Sequence, residues 1–281
     1  MKHTQGRFKG KKKVEIYWQS WQPANTKCRA VVVLVHGLGE HSGRYGHVAD
    51  TLVGAGCAVY AMDHRGHGQS GGPRAFVDRF AHAVDDIDYV VELARREQPR
   101  KPVFLLGHSM GGALSLSYAL KHSGKLFALM LSGPAVALDG APPYMRPIAK
   151  VLSTVAPKLG VFAVAPDLVS RDPEVVADYA NDPLNAHGKV PARTLGEIIR
   201  FVEALPAFLP GLQLPLLIQH GQEDKLAGVS GSERVMRGVS SSDKTLKVYP
   251  ALYHEIFNEL AADRAVVLKD LTDWIDARLA A

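Results

Sequence analysis

A serine flanked by glycines, Gly107-His108-Ser109-Met110-Gly111, lies between an apolar run and a stretch of small residues that reads as a helix. This is G-x-S-x-G in the strand–turn–helix setting that lifts a serine hydroxyl above a sheet. The spacing has a steric cause, because so tight a turn leaves no room for side chains two residues either side of the serine. The chemistry open to such a serine is acyl transfer through a covalent intermediate. It needs a general base, a group that orients the base, and donors for the oxyanion.

The helix that begins after Ser109 aims free N–H groups and the positive end of its dipole at a developing oxyanion, so Met110 N–H is the first donor. His36-Gly37-Leu38-Gly39, a glycine-flexible turn after an apolar run, supplies the second, assigned to Leu38 N–H. His254 is the candidate base, in the loop after Thr245 to Val248. His220, directly after an apolar run, reads as a turn residue. Glu223 and Asp224 compete as the orienting carboxylate, since either could accept the imidazole Nδ1–H. His36, His41, His47, His64 and His67 show no metal-ligand spacing, and the chemistry needs neither metal nor other cofactor. His64-Arg65-Gly66-His67-Gly68 reads as a tight loop shaping the wall of the site.

These groups require a scaffold. Val14, Ile16 and Trp18 alternate with polar residues and predict an early strand that leaves at Trp21-Gln22-Pro23, with a hairpin partner upstream. Ala30 to Val35, Cys57 to Met62, Val103 to Leu106 and Phe127 to Leu131 are apolar throughout, as strands covered on both faces are. Tyr45 to Val53 and Ala113 to Lys121 read as helices. After Gly133 the rhythm breaks. Pro134, Pro142, Pro143, Pro147, Pro157 and Pro166 punctuate short apolar segments such as Ile148 to Val155 and Val161 to Val164, and no good strand is found. Strand pattern resumes at Leu214 to Gln219 and Thr245 to Val248, before a helical tail from Val266 to Leu279. The alternation predicts a parallel α/β sheet with covering helices over residues 1–133 and 211–281, and a cap inserted at 134–210.

A chain of 281 residues, 47% hydrophobic, can bury a core for one such domain with an insertion. The formal charge of +5 owes part to Lys9, Lys11, Lys12 and Lys13. No recognised nucleic-acid motif accompanies that run, which reads as a solvated edge or a contact to anionic lipid. Cys28 and Cys57 stand at the edges of apolar runs as small hydrophobes, without a disulfide framework. No apolar signal region follows the N-terminus, and no run approaches the roughly 18 residues that span a bilayer. The expectation is a soluble, cytoplasmic protein with membrane-surface association left open.

HGLGEHSGRY at 36–45, DHRGHGQSGG at 63–72, GHSMGG at 107–112, SRDPEVVADYANDPL at 170–184 and YHEIFNE at 253–259 together reach well beyond G-x-S-x-G. With them the chain resembles, over nearly its whole length, the monoacylglycerol lipase and lysophospholipase branch of the α/β-hydrolases, among the serine aminopeptidase S33-like hydrolases. The resemblance implies an α/β-hydrolase fold, with a mostly parallel central sheet, covering helices and a mainly helical cap. It implies the order serine, acid, histidine, and a G-x-x-D spacing from Gly221 that selects Asp224. It places Leu38 and Met110 at the oxyanion hole. The implied reaction is hydrolysis of one fatty-acyl ester bond of a monoacylglycerol to fatty acid and glycerol. Glu40, Arg44 and Tyr179 fall at the polar end of the pocket, where glycerol would leave; their plainer roles are a salt-bridged loop and cap packing. The match is poorest from about 135 to 165, where Met145, Ile148, Val151, Leu152, Val155, Leu159, Val161 and Phe162 form an apolar series. That series either packs on its own domain or makes an acyl-binding, membrane-touching lid. The rival readings are a carboxylesterase, lysophospholipase or thioesterase with the same triad, and a catalytically inactive binding module, which an intact triad disfavours.

Overall fold

The computed structural model describes residues 1–24, 27–138 and 144–280. The chain opens with an antiparallel hairpin, β1 (Lys2–Lys9) and β2 (Glu15–Gln22), so the upstream partner expected for the early strand is present. β3 (Ala30–Val35), β4 (Cys57–Met62), β5 (Val103–His108) and β6 (Ala128–Ser132) follow, every residue of them buried. Between them run α1 (Gly46–Gly54), α2 (Phe80–Glu97) and α3 (Met110–His122). α2 has no counterpart among the elements predicted from the sequence. Its buried residues Phe80, Ala83, Val84, Ile87, Val90, Val91 and Ala94 nevertheless recur at the helical period, a legible signal.

After β6 come α4 (Met145–Val155), β7 (Gly160–Phe162), α5 (Pro173–Asn181), β8 (Val190–Pro191) and α6 (Ala192–Phe208). The expectation of no strand here is corrected by β7 and β8, which form a short antiparallel ribbon. Runs of two and three residues carry too little periodicity to be read. Pro142, Pro143 and the side chain of Met145 lie outside the described residues. α4 packs on α6, and α6 reaches α2 and α3.

The chain then returns as β9 (Leu216–Gly221), α7 (Val229–Gly238), β10 (Lys244–Tyr249) and α8 (Ala261–Leu279). The eight-stranded sheet has the order β1-β2-β4-β3-β5-β6-β9-β10 and is parallel from β4 to β10. Alternation along each strand divides the core in two. Val31, Val33 and Val35 of β3 pack with α2 and α3 on one face, while Ala30, Val32 and Leu34 pack with α1 and α8 on the other. The carboxyl ends of β3, β5, β9 and β10 lead into the loops that carry the site. That rim is where open parallel sheets bind ligands.

Candidate active site

Ser109 occupies the turn between β5 and α3 at φ 54°, ψ −121°, a conformation disfavoured for a side chain. Three main-chain bonds hold it there. Its N–H donates to Ser132 O at 3.0 Å, and its carbonyl accepts from Ala113 and Ala135 at 3.1 and 2.9 Å. The flanking glycines have the expected steric origin: a β-carbon on Gly111 would collide with the carbonyls of Val35 and His36, and one on Gly107 with Ser115 and the Gly111 carbonyl.

His254 and Asp224 arrive from the loops after β10 and β9. Ser109 Oγ lies 2.8 Å from His254 Nε2, and His254 Nδ1 lies 2.7 Å from Asp224 Oδ2. Asp224 is buried, and its other oxygen, Oδ1, accepts the Leu226 and Ala227 amides at 2.8 Å each. Burial alone would raise its pKa, but attraction to His254 and hydrogen bonds from His220 and His254 outweigh this and hold the carboxyl far below the usual range. Burial alone would lower the pKa of His254; the adjacent Asp224 carboxylate instead raises it above its ordinary value. Glu223 is exposed and takes no part in this chain.

Leu38 and Met110 lie where the two donors are expected, one in the turn after β3 and the other opening α3. Gly37 presses on the serine, since a β-carbon there would lie 3.1 Å from Ser109 Cβ. Leu38 N–H donates to no main-chain carbonyl outside helices and strands among the described residues, and Met110, as the first residue of α3, has no acceptor one turn before it.

The residues expected at the polar end of the pocket form one buried cluster. Glu40 Oε1 accepts the Gly37 amide at 2.6 Å and the Tyr45 hydroxyl at 2.7 Å, and Oε2 accepts Arg44 Nη1 at 2.9 Å. Arg44 also makes two parallel bonds of 2.6 and 2.7 Å to Glu255, the residue after His254, and stacks on the Tyr179 ring at 4.8 Å. Burial opposes ionisation of both carboxyls. The doubly bonded Glu255 is held down at about 2, whereas Glu40, with one bond to the same cation, is left raised. Arg44 also borders a polar cavity of about 510 Å³, lined in part by His41, Asp178, Asn181, Asp182 and Arg264.

The expectation of a turn role for His220 is corrected. It is the penultimate residue of β9, fully buried, with Nε2 3.1 Å from Asp224 Oδ2. Glu255 and Tyr45 were also missed, although Glu255 adjoins the candidate base in sequence. The HRGHG loop packs as a wall of buried imidazoles: the rings of His36 and His64 are 4.3 Å apart and those of His36 and His67 5.5 Å. Among the described residues no group of three His, Cys, Asp or Glu side chains has metal-binding geometry.

A family model described as serine aminopeptidase, S33, matches residues 26–261. A monoacylglycerol lipase of Mycolicibacterium smegmatis is 45% identical over 97% of this chain and 96% of its own. The human monoglyceride lipase is 34% identical over 94% and 88%. Among solved structures, the monoacylglycerol lipase of Paleococcus ferrophilus superposes with a TM-score of 0.83 at 31% identity, over 99% of this chain and 100% of that one. A soluble variant of the Saccharomyces cerevisiae monoglyceride lipase in complex with a substrate analog gives 0.86 at 25% identity, over 98% and 94%. With the elbow, the sheet order and these likenesses together, the chain belongs to the serine aminopeptidase S33 family of α/β-hydrolases.

Proposed function

We propose that this protein is a monoacylglycerol lipase, a serine esterase that releases fatty acid and glycerol through an acyl-enzyme on Ser109. The hydrogen-bonded chain Ser109–His254–Asp224 carries this reading. Ser109 Oγ attacks the ester carbonyl as His254 Nε2 takes its proton, and Leu38 and Met110 N–H stabilise the oxyanion. His254 then protonates the leaving glycerol and activates the water that frees the acid, while Asp224 stays ionised.

The head group meets Tyr179, with Arg44 and Glu40 behind it as the polar end of the pocket. The Tyr179 side chain is 3% exposed and its hydroxyl faces the turn after β3, where a β-carbon on Gly39 would lie 3.3 Å from it. Residues 134–210 serve as the cap. Its α4 turns an apolar face to solvent, with Ile148, Val151 and Val155 all more than half exposed, and this face rests on the lipid surface from which substrate is taken. No described helix is long and apolar enough to cross a membrane.

The test is glycerol release from long-chain monoacylglycerol against di- and triacylglycerols, a lysophospholipid and a short soluble ester. Selective turnover of the monoacylglycerol is expected. Preference for the lysophospholipid or the soluble ester keeps the triad and rejects the lipid assignment.

A further inference from the structure

We propose that Glu40 is a positioning residue for the oxyanion hole: with His36 it clamps Gly37 from both sides and thereby aims the Leu38 N–H at the reacting carbonyl. The inference rests on the reading of Ser109 as an esterase nucleophile.

Leu38 N–H shares a planar trans peptide unit with the Gly37 carbonyl, so the two point in opposite directions and neither turns without the other. That carbonyl accepts from His36 Nδ1 at 2.7 Å. The tautomer of His36 is set by its other nitrogen, because Nε2 accepts the His64 amide at 2.9 Å and the proton must therefore sit on Nδ1. On the other side, the Gly37 amide donates to Glu40 Oε1 at 2.6 Å, an oxygen held in place by the Tyr45 hydroxyl. Both jaws are buried, His36 at 0% and Glu40 at 2% exposure. Beyond Leu38 the chain is pinned again, where the Gly39 carbonyl accepts the Ala186 amide at 2.8 Å.

Glu40 Oε2 engages Arg44, whose remaining two bonds run to Glu255 beside His254. Both Glu40 oxygens thus serve protein donors, and one cation ties the loop of the oxyanion hole to the loop of the general base. Arg44 keeps its bidentate bond to Glu255 when Glu40 is removed, so Glu40→Ala strands no buried charge.

The experiment compares Glu40→Ala with wild type on long-chain monoacylglycerol and on p-nitrophenyl acetate, which carries no glycerol. It also follows, by carbon NMR, the pKa of the oxyanion formed when Ser109 adds to an isotope-labelled trifluoromethyl ketone. We expect kcat to fall about 10- to 100-fold, by the same factor on both substrates, with KM held, as misplacing a preorganised donor requires. The hemiketal pKa is expected to rise, and Glu40→Gln, which retains an acceptor for Gly37, to recover most of the rate. A loss confined to monoacylglycerol and carried by KM would place Glu40 at the glycerol and overturn the proposal, as would an unchanged hemiketal pKa. Should Glu40→Ala fail to fold, Tyr45→Phe, which removes one of the donors on the same oxygen, is expected to lower kcat equally on both substrates by a smaller factor. Unequal factors contradict the proposal there too. Ser109→Ala in the p-nitrophenyl acetate assay tells its failure from failure of the esterase reading, since turnover surviving that change rejects the reading itself.

Discussion

His220 donates from Nε2 to Asp224 Oδ2 at 3.1 Å, onto the same oxygen that accepts His254 Nδ1–H. Its tautomer follows from its neighbours. The Ala227 carbonyl, 2.6 Å from Nε2, can only accept, and Ser232 Oγ donates to Nδ1 at 2.7 Å. Asp224 is therefore fixed by His220 and two amides before His254 engages it.

Removing that hold should be felt at the base. In His220→Phe, kcat on a soluble ester is expected to fall about tenfold with KM held, as loss of a supporting hydrogen bond around reacting groups does. The acid limb of kcat/KM reports protonation of His254. Because Asp224 raises the His254 pKa, the limb should lie above the ordinary imidazole value in wild type; loss of the His220 hydrogen bond leaves the carboxylate more basic toward His254, so the limb should move to higher pH in the variant. An unmoved limb argues against this role.

Gly133, at φ 46°, lies against the same pair: a β-carbon there would sit 3.2 Å from Asp224 Oδ2 and 3.3 Å from His254 Nδ1. Gly133→Ala adds the steric cost of a side chain at positive φ to pressure on both groups. A drop in kcat of about 10- to 100-fold, with modest loss of thermal stability, is the expected result. Wild-type turnover would mean that the pair tolerates displacement.

Acid should weaken the fold through the buried imidazoles. Burial pushes His64 to about 3 and His67 to about 4, and His36 is driven well below its ordinary value by burial and then by its histidine neighbours. In the unfolded chain these groups take protons near pH ~6.5. The unfolded state thus binds more protons from about pH 6.5 down to about 3, and stability, full above that window, falls as pH drops through it. Urea unfolding between pH 7 and 4.5 should show this slope, shallower in His67→Gln; a flat profile would contradict it.

Much of this arrangement was legible in the sequence. The apolar β-branched runs of β3 and β4 have few other uses than buried parallel strands, and G-x-S-x-G between a strand and a helix marks Ser109. His254 follows from chain order once strands are placed before their loops, while the choice of Asp224 over Glu223 rests on the G-x-x-D spacing that the resemblance implies. The helix at 80–97 was readable from its own period and was passed over. His220 was misread because adjacency to a strand says nothing of the direction in which a side chain points. The clamp on Gly37 was not readable, since it depends on which of the Glu40 oxygens meets which donor. The two strands at 160–162 and 190–191 are too short to leave a pattern.

The exposed face of α4 gives a separate test. Ile148, Val151 and Val155 are 52%, 59% and 71% exposed and share one side of the helix. Replacing all three by serine should reduce co-sedimentation with phosphatidylcholine vesicles several-fold while sparing p-nitrophenyl acetate turnover. Equal sedimentation would leave the patch without a membrane role.

The most direct check on the central claim is the intact mass of the protein after reaction with a long-chain alkyl fluorophosphonate, with peptide mapping and Ser109→Ala in parallel. A single adduct on Ser109, absent from the variant along with its esterase activity, is the expected result. An adduct on another residue, or activity that persists in Ser109→Ala, would contradict the assignment of Ser109 as the nucleophile.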